Sequence, residues 1–258
     1  LIRANALNGL AAFCLADEEY AANLACHEQA LALRRELGDP DGIATVLHNM
    51  GLTAYMMGDY DIALSRLAES ITVNPDGDQT SAWAHLGLIA QETHDLAAAR
   101  RWLELAYDGA MRTSAGWMQA FVMNYLADVL RELGELDEAA RLAGESLRLF
   151  AMMDDSHYLP DAQVTLAQIA LDRGDTTGAA DLAALAAEQY AARDDPALLA
   201  TVTLVQAEIA RQEGRREDGL TLFAQSRALR GRASRAMSPH ERAQYARVAA
   251  ELGVAFPK

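Results

Sequence analysis

Six histidines, two cysteines and a single lysine bound the chemistry available to this chain of 258 residues. His27, His48, His85, His94, His157 and His240 form no His-x-x-x-His or Glu-x-x-His pair, the spacings that set two metal ligands on one helix face. No Gly-x-Ser-x-Gly elbow exposes a nucleophilic serine. Cys26 and His27 are neighbours, but adjacent helical residues point about 100° apart, so they cannot serve as nucleophile and base. The one lysine is Lys258, and no Gly-x-x-x-x-Gly-Lys-Ser/Thr loop cradles a phosphate. The expectation is a protein that is not an enzyme, with no cofactor and no metal site.

A second set of residues has the chemistry of binding instead. Read in units of about 40 residues, the chain aligns Asn8, His48, Ala84, Asn124 and Val164 in one row. Gly9, Asn49, His85, Tyr125 and Thr165 form the next. One turn on come Leu52, Leu88, Asp128, Gln168 and Glu208, then Tyr55, Gln91, Arg131, Leu171 and Arg211. Amides both donate and accept hydrogen bonds, which suits a peptide backbone. Asn8, His48, Asn49, His85, Asn124, Tyr125 and Arg131 are therefore the candidate ligand contacts. The alternative is that they are solvated polar residues, or that Asn49 and Asn124 brace neighbouring helices. His48 and His85 lie in adjacent rows of adjacent units and could approach, as a groove pair rather than a metal site.

These rows need elements to carry them, and a repeat supplies them. A small residue follows a large apolar one at Ala11, Gly51, Gly87, Ala127, Ala167 and Ala207, at intervals of 40, 36, 40, 40 and 40. Small size matters where two helices of a hairpin touch, since a larger side chain would force them apart. The turns between paired helices also align: Asp17-Glu18-Glu19, Gly58-Asp59, His94-Asp95, Gly134-Glu135, Gly174-Asp175 and Gly214-Arg215. Glycine ends the first helix in a left-handed cap, and an acid favours the start of the second. Second helices carry Ala63, Ala99, Ala139, Ala179 and Gly219 after the turn, and the first departs from the pattern with Asn23. Ser238-Pro239-His240-Glu241 reads as a capping box opening a last helix.

Trp83-x-x-Leu86-Gly87-x-x-Ala90, followed by Ala99-x-x-x-Leu103, resembles the tetratricopeptide repeat. So does Leu47-x-x-Met50-Gly51-x-x-Ala54 with Ala63-x-x-x-Leu67 and Asn74-Pro75. The segment from Ala30 to Asp39, with His48-Asn49-Met50-Gly51, is similar to the 40-residue repeats of LuxR-, MalT- and AfsR-like bacterial regulators. In these a signalling ATPase is fused to such an array. The resemblance implies an all-α fold: an α-solenoid of six helix hairpins and a C-terminal capping helix, wound as a right-handed superhelix. The whole chain would be one solenoid, with repeats at about 1–38, 42–75, 79–112, 117–153, 157–193 and 196–232 and the cap at 238–253. It implies a regulatory or sensor module of a larger bacterial transcriptional regulator, binding a peptide or protein segment. A small effector, an intramolecular ATPase domain and a homo-oligomer stay open as partners. The alternative function is a free-standing adaptor or self-associating scaffold. Chaperone-binding relatives clamp a carboxylate with Lys and Arg. These rows hold no Lys, and Arg131 is their one Arg before Arg211, so that clamp is not expected.

Composition fits. Half the residues (51%) are apolar and Gly (17) and Pro (6) are few, the make-up of a folded helical chain. A net charge of −15 repels nucleic acid and anionic lipid. Residues 211–247 reverse the sign locally, with nine Arg against four acids, either as a solvated last repeat or as a docking face for an acidic partner. Cys14 and Cys26 make no disulfide framework. No apolar run nears the roughly 20 residues that span a membrane, and the expected compartment is the cytoplasm. Leu1 falls inside a helical pattern, so a longer parent protein is expected.

Overall fold

The computed structural model describes residues 1–16, 19–112, 116–193, 195–233 and 235–256. Among them are thirteen α-helices and no strand. They are α1 (Ile2–Ala16), α2 (Tyr20–Leu37), α3 (Pro40–Met57), α4 (Tyr60–Val73), α5 (Thr80–Glu92), α6 (Leu96–Met111) and α7 (Gly116–Glu132). The rest are α8 (Leu136–Met152), α9 (Leu159–Asp172), α10 (Thr176–Ala192), α11 (Pro196–Gln212), α12 (Arg216–Arg230) and α13 (Pro239–Leu252). This is the all-α hairpin solenoid expected from the repeats.

The helices fall into two compact units, residues 1–109 and residues 110–258. In the first, α1 packs on α2 and α3 on α4, while α2 touches α3 and α5 touches both α3 and α4. In the second, α7–α8, α9–α10 and α11–α12 are the hairpins. Its first helices also meet directly, α7 with α9, α9 with α11 and α11 with α13.

The turns are built as their residues dictate. Gly58, Gly134, Gly174 and Gly214 adopt φ of 79–82°, a left-handed conformation that costs glycine nothing. His94 takes the same place with φ 65°, so among the described hairpin turns this one places a side chain in that conformation. In all five, the N–H after the left-handed residue bonds a carbonyl five residues back, at 2.8–2.9 Å. Asp17 and Glu18 of the first turn, and Asp194 before α11, lie outside the described residues. Longer connections use acids as caps: Asp39 accepts from the Gly42 N–H at 3.0 Å, and Asp195 from Ala197 and Leu198 at 3.0 and 3.1 Å. The capping box of α13 is complete, with Glu241 N–H on Ser238 Oγ and Ser238 N–H on Glu241 Oε2.

The small residues sit where hairpin helices touch. Ala11, Ala127, Ala167 and Ala207 are fully buried. A Cβ added to Gly51 would lie 2.9 Å from Leu67 Cγ, and one on Gly87 would lie 2.5 Å from Leu103 Cγ. Size is thus exchanged between the paired helices: glycine faces leucine in the second and third hairpins. In the fifth, Ala167 and Ala183 share one core cluster.

Asn23, the departure in α2, is completely buried and bridges three helices. Its Nδ2 donates to the Ala11 carbonyl of α1 at 2.8 Å, and its Oδ1 accepts from Thr53 Oγ1 of α3 at 2.8 Å. Ser146 and Ser226 hold their hairpins similarly, each donating to a first-helix carbonyl, Ala120 and Ala200, at 2.7 Å. No helix among the described residues is long and apolar enough to cross a membrane.

Candidate functional site

Four of the seven candidate contacts meet in the first unit. Helices α1, α3 and α5 bring Asn8, Asn49, His48 and His85 into one hydrogen-bonded ladder. Asn49 Nδ2 donates to Asn8 Oδ1 at 3.1 Å, and His48 Nδ1 lies 3.4 Å from Asn49 Oδ1. His48 Nε2 lies 3.2 Å from His85 Nδ1, which is also 2.7 Å from the Ser81 carbonyl. The two rings meet edge to face, with centroids 5.0 Å apart.

The polarity of this ladder follows from its ends. A carbonyl only accepts, so His85 carries its proton on Nδ1 and donates to Ser81. His48 Nε2 must then be a lone pair facing that N–H, which puts the His48 proton on Nδ1, toward Asn49 Oδ1. Asn49 in turn gives an N–H to Asn8. His48 is neutral in this arrangement, because a second proton, on its Nε2, would set two donors face to face. Burial lowers both, His85 to about 4, with the nearby His48 charge adding to the effect at His85.

Beside the ladder lies a cavity of about 350 Å³ lined by Asp41, Thr45 and His48 of α3, Ser70 and Asn74 at the end of α4, and Asp78, Gln79 and Ser81 at the start of α5, among others. Its walls are braced: Asn74 Nδ2 donates to Asp41 Oδ1 at 2.6 Å, and Gln79 Nε2 donates to the Asn74 carbonyl. Asp78 caps α5 through the Thr80 N–H at 2.9 Å. Of this set, row alignment marks only His48 as a contact. Asn74-Pro75 was legible as the end of a repeat, but the wall it forms depends on how α4 meets α5.

The other three candidates belong to α7 in the second unit. Asn124 is 4% exposed, and its Oδ1 is buried without a hydrogen-bond partner among the described residues. The Tyr125 ring packs on Phe121 with centroids 4.8 Å apart. Arg131 is held by three carboxylates: Asp128 at 2.9 Å, Asp172 of α9 at 3.1 Å and Glu132 at 3.6 Å. These acids keep its guanidinium charged despite burial. Arg131 therefore ties α7 to α9.

Paired helices with small residues at their contacts, and a polar row on the first helix of each pair, define a helical-hairpin repeat protein. Family models described as tetratricopeptide repeat match residues 2–76 and 122–150. No curated protein matches the sequence. Solved structures share the fold at low identity. BtubC (BKLC) from P. vanneervenii is 16% identical, with TM-score 0.63 over 82% of this chain and 91% of that one. The apo form of RapI is 10% identical, with TM-score 0.68 over 95% and 99%. A Rap protein complexed with competence and sporulation factor is 12% identical, with TM-score 0.67 over 98% and 76%.

Proposed function

We propose that this chain is a non-enzymatic binding scaffold whose first unit takes a peptide or protein segment along the Asn8–Asn49–His48–His85 ladder. The observation that carries the reading is the ladder itself. It runs across three first helices and ends on the Asn8 amide, whose N–H donors are left over for a peptide carbonyl. Neutral amides and imidazoles cost little to desolvate compared with charges, so such a face recognises backbone without demanding an ionic partner. The polar cavity next to it adds a place for one side chain. The Rap structure with competence and sporulation factor supports the reading, since a similar fold there is named as a complex.

The resemblance of residues 30–39 and 48–51 to repeats of bacterial signalling-ATPase regulators supports a sensor module within a larger cytoplasmic regulator. Binding would change the regulated output only if the ligand prefers one arrangement of the array. The free-standing adaptor has no observation in its favour.

A random dodecapeptide library displayed on phage, selected on the purified chain, tests the binding role. Selected peptides should lose about tenfold in affinity for the Asn49→Ala variant, the size of one or two lost hydrogen bonds. Amide-exchange protection on binding should concentrate on α1, α3 and α5. Peptides that bind Asn49→Ala and wild type alike, with protection elsewhere, overturn the assignment of the site.

A further inference from the structure

The second unit contains a pocket unlike anything in the ladder. Between the end of α12, the connection after it and the start of α13 lies a cavity of about 540 Å³. Arg227, Arg230, Arg235 and Arg242 line it together with Met237 and Phe256, and no acidic side chain does. Four guanidiniums gathered in a chain of net charge −15 call for an explanation.

The carboxylate that meets Arg230 and Arg235 is already engaged. Arg230, only 4% exposed, donates through Nε to Glu241 Oε1 at 3.1 Å and through Nη2 to Oε2 at 2.9 Å. Ser238 N–H takes the same Oε2 at 2.8 Å. Arg235 stands 3.7 Å from it. These contacts hold the Glu241 carboxyl below its ordinary range against the effect of its burial. Three donors of the wall therefore hold it. Arg230 also donates to the Arg235 carbonyl at 2.7 Å, which fixes the connection that carries Arg235.

Two cations remain without a carboxylate. Neither Arg227 nor Arg242 forms an ion pair among the described residues. Arg227 is held over Phe256, 5.6 Å from the ring centroid, and 6.0 Å from that of Phe223. Phe256 is itself stacked on Tyr245 with centroids 5.7 Å apart. The charge is therefore pre-positioned on an aromatic floor rather than swinging in solvent, which lowers the entropy lost on binding.

We infer that this pocket binds an acidic peptide segment, its carboxylates bridging Arg227 and Arg242 and an apolar side chain resting on Phe256 and Met237. Guanidinium forks match carboxylate geometry. The volume lies in the range that holds drug-sized ligands and far exceeds a single inorganic oxyanion. Apolar and cationic walls in one pocket suit a chain with mixed side chains. The inference rests on residues of the second unit alone.

The test is calorimetric titration of the whole chain with an Asp/Glu-rich octapeptide carrying one Leu. The comparison probes are its Asn/Gln counterpart, a phosphoserine version, ATP and sodium sulfate. The acidic peptide should bind and the amide counterpart should not, with affinity falling steeply as salt rises. Arg227→Gln and Arg242→Gln should each weaken binding about five- to tenfold, the size of a lost charge-assisted hydrogen bond. Arg242→Lys should recover part of the loss, and Asn49→Ala should change nothing. Arg242 is exposed, so its substitution leaves the melting curve in place and isolates binding from folding. Equal binding of the amide peptide, unchanged affinity in the Arg227→Gln/Arg242→Gln double variant, no binding of the acidic peptide, or preference for ATP, sulfate or the phosphopeptide overturns the inference.

Discussion

The imidazoles of His48 and His85 meet between α3 and α5, with Nε2 of one 3.2 Å from Nδ1 of the other. They are 37 residues apart in sequence. Their contact stands at the centre of the ladder, and it requires the His48 ring to be neutral, with its Nε2 lone pair toward the His85 N–H.

Acid should therefore weaken the first unit. Burial depresses the native pKa of His85 from 6.5 to about 4 and lowers that of His48 as well. The folded state then binds fewer protons than the unfolded chain, so protons favour unfolding. This contribution is complete above pH 6.5 and is lost as the pH falls toward 4. For His85 it is on the order of 2–3 kcal/mol. Urea denaturation at pH 7.5 and pH 4.5 should show a smaller acid loss in His85→Gln than in wild type. An equal loss in both would place the sensitivity elsewhere.

Asp161 in the second unit should show the opposite sign. Burial raises its carboxyl to about 6, although Tyr190 donates to it at 2.5 Å and Arg193 attracts it. Here the folded state binds more protons than the unfolded chain. Stabilisation is full below the ordinary value of 3.8 and disappears as the pH rises through about 6. Asp161→Asn keeps an acceptor for Tyr190 and removes the charge. It should stabilise the chain at pH 7.5, by on the order of 2 kcal/mol, and give no gain at pH 4. Thermal melts at both pH values decide it.

The contact of Gly87 with Leu103 predicts a coupled pair. Gly87→Ala should destabilise by about 1–3 kcal/mol through overpacking, because the new Cβ falls 2.5 Å from Leu103 Cγ. In a Leu103→Ala background the same change should cost little, since the fifth hairpin already uses Ala167 with Ala183. A double-mutant cycle measures the coupling. Additive effects would show that the two residues do not share the space.

Two buried asparagines should behave differently. Asn23→Ala removes the bonds to the Ala11 carbonyl and the Thr53 hydroxyl, though Thr53 keeps the Asn49 carbonyl at 3.0 Å, and should cost about 1–3 kcal/mol. Asn124→Ala removes an oxygen that has no partner among the described residues, and should cost under about 1 kcal/mol. Chemical denaturation of the two single variants ranks them, and a reversed order would refute the assignment of Asn23 as the brace.

What could be read from the chain was whatever depends on local sterics. Gly58, Gly134, Gly174 and Gly214 announce left-handed turns because few other residues adopt that φ cheaply. His94 was recognised at the same register despite its side chain, since the surrounding pattern outweighed one residue. Row alignment brought His48 and His85 close enough to suspect a pair. It also placed Asn8 and Asn49 on one face, but could not say that one amide bonds the other.

Helix hairpins, with their turns, caps and small contact residues, are written into the amino-acid pattern. A recurring steric need leaves a recurring residue, and that need acts within one hairpin. Only the tertiary structure decided which polar groups are satisfied by the protein and which are left over. Asn23 looked like a lapse in the pattern and proved to be a brace. Arg131 is taken up by Asp172, 41 residues on, while Arg227 and Arg242 meet no carboxylate among the described residues. Hydrogen bonds and ion pairs change within an ångström, and that distance is set by how neighbouring helices pack, which no spacing along the chain records.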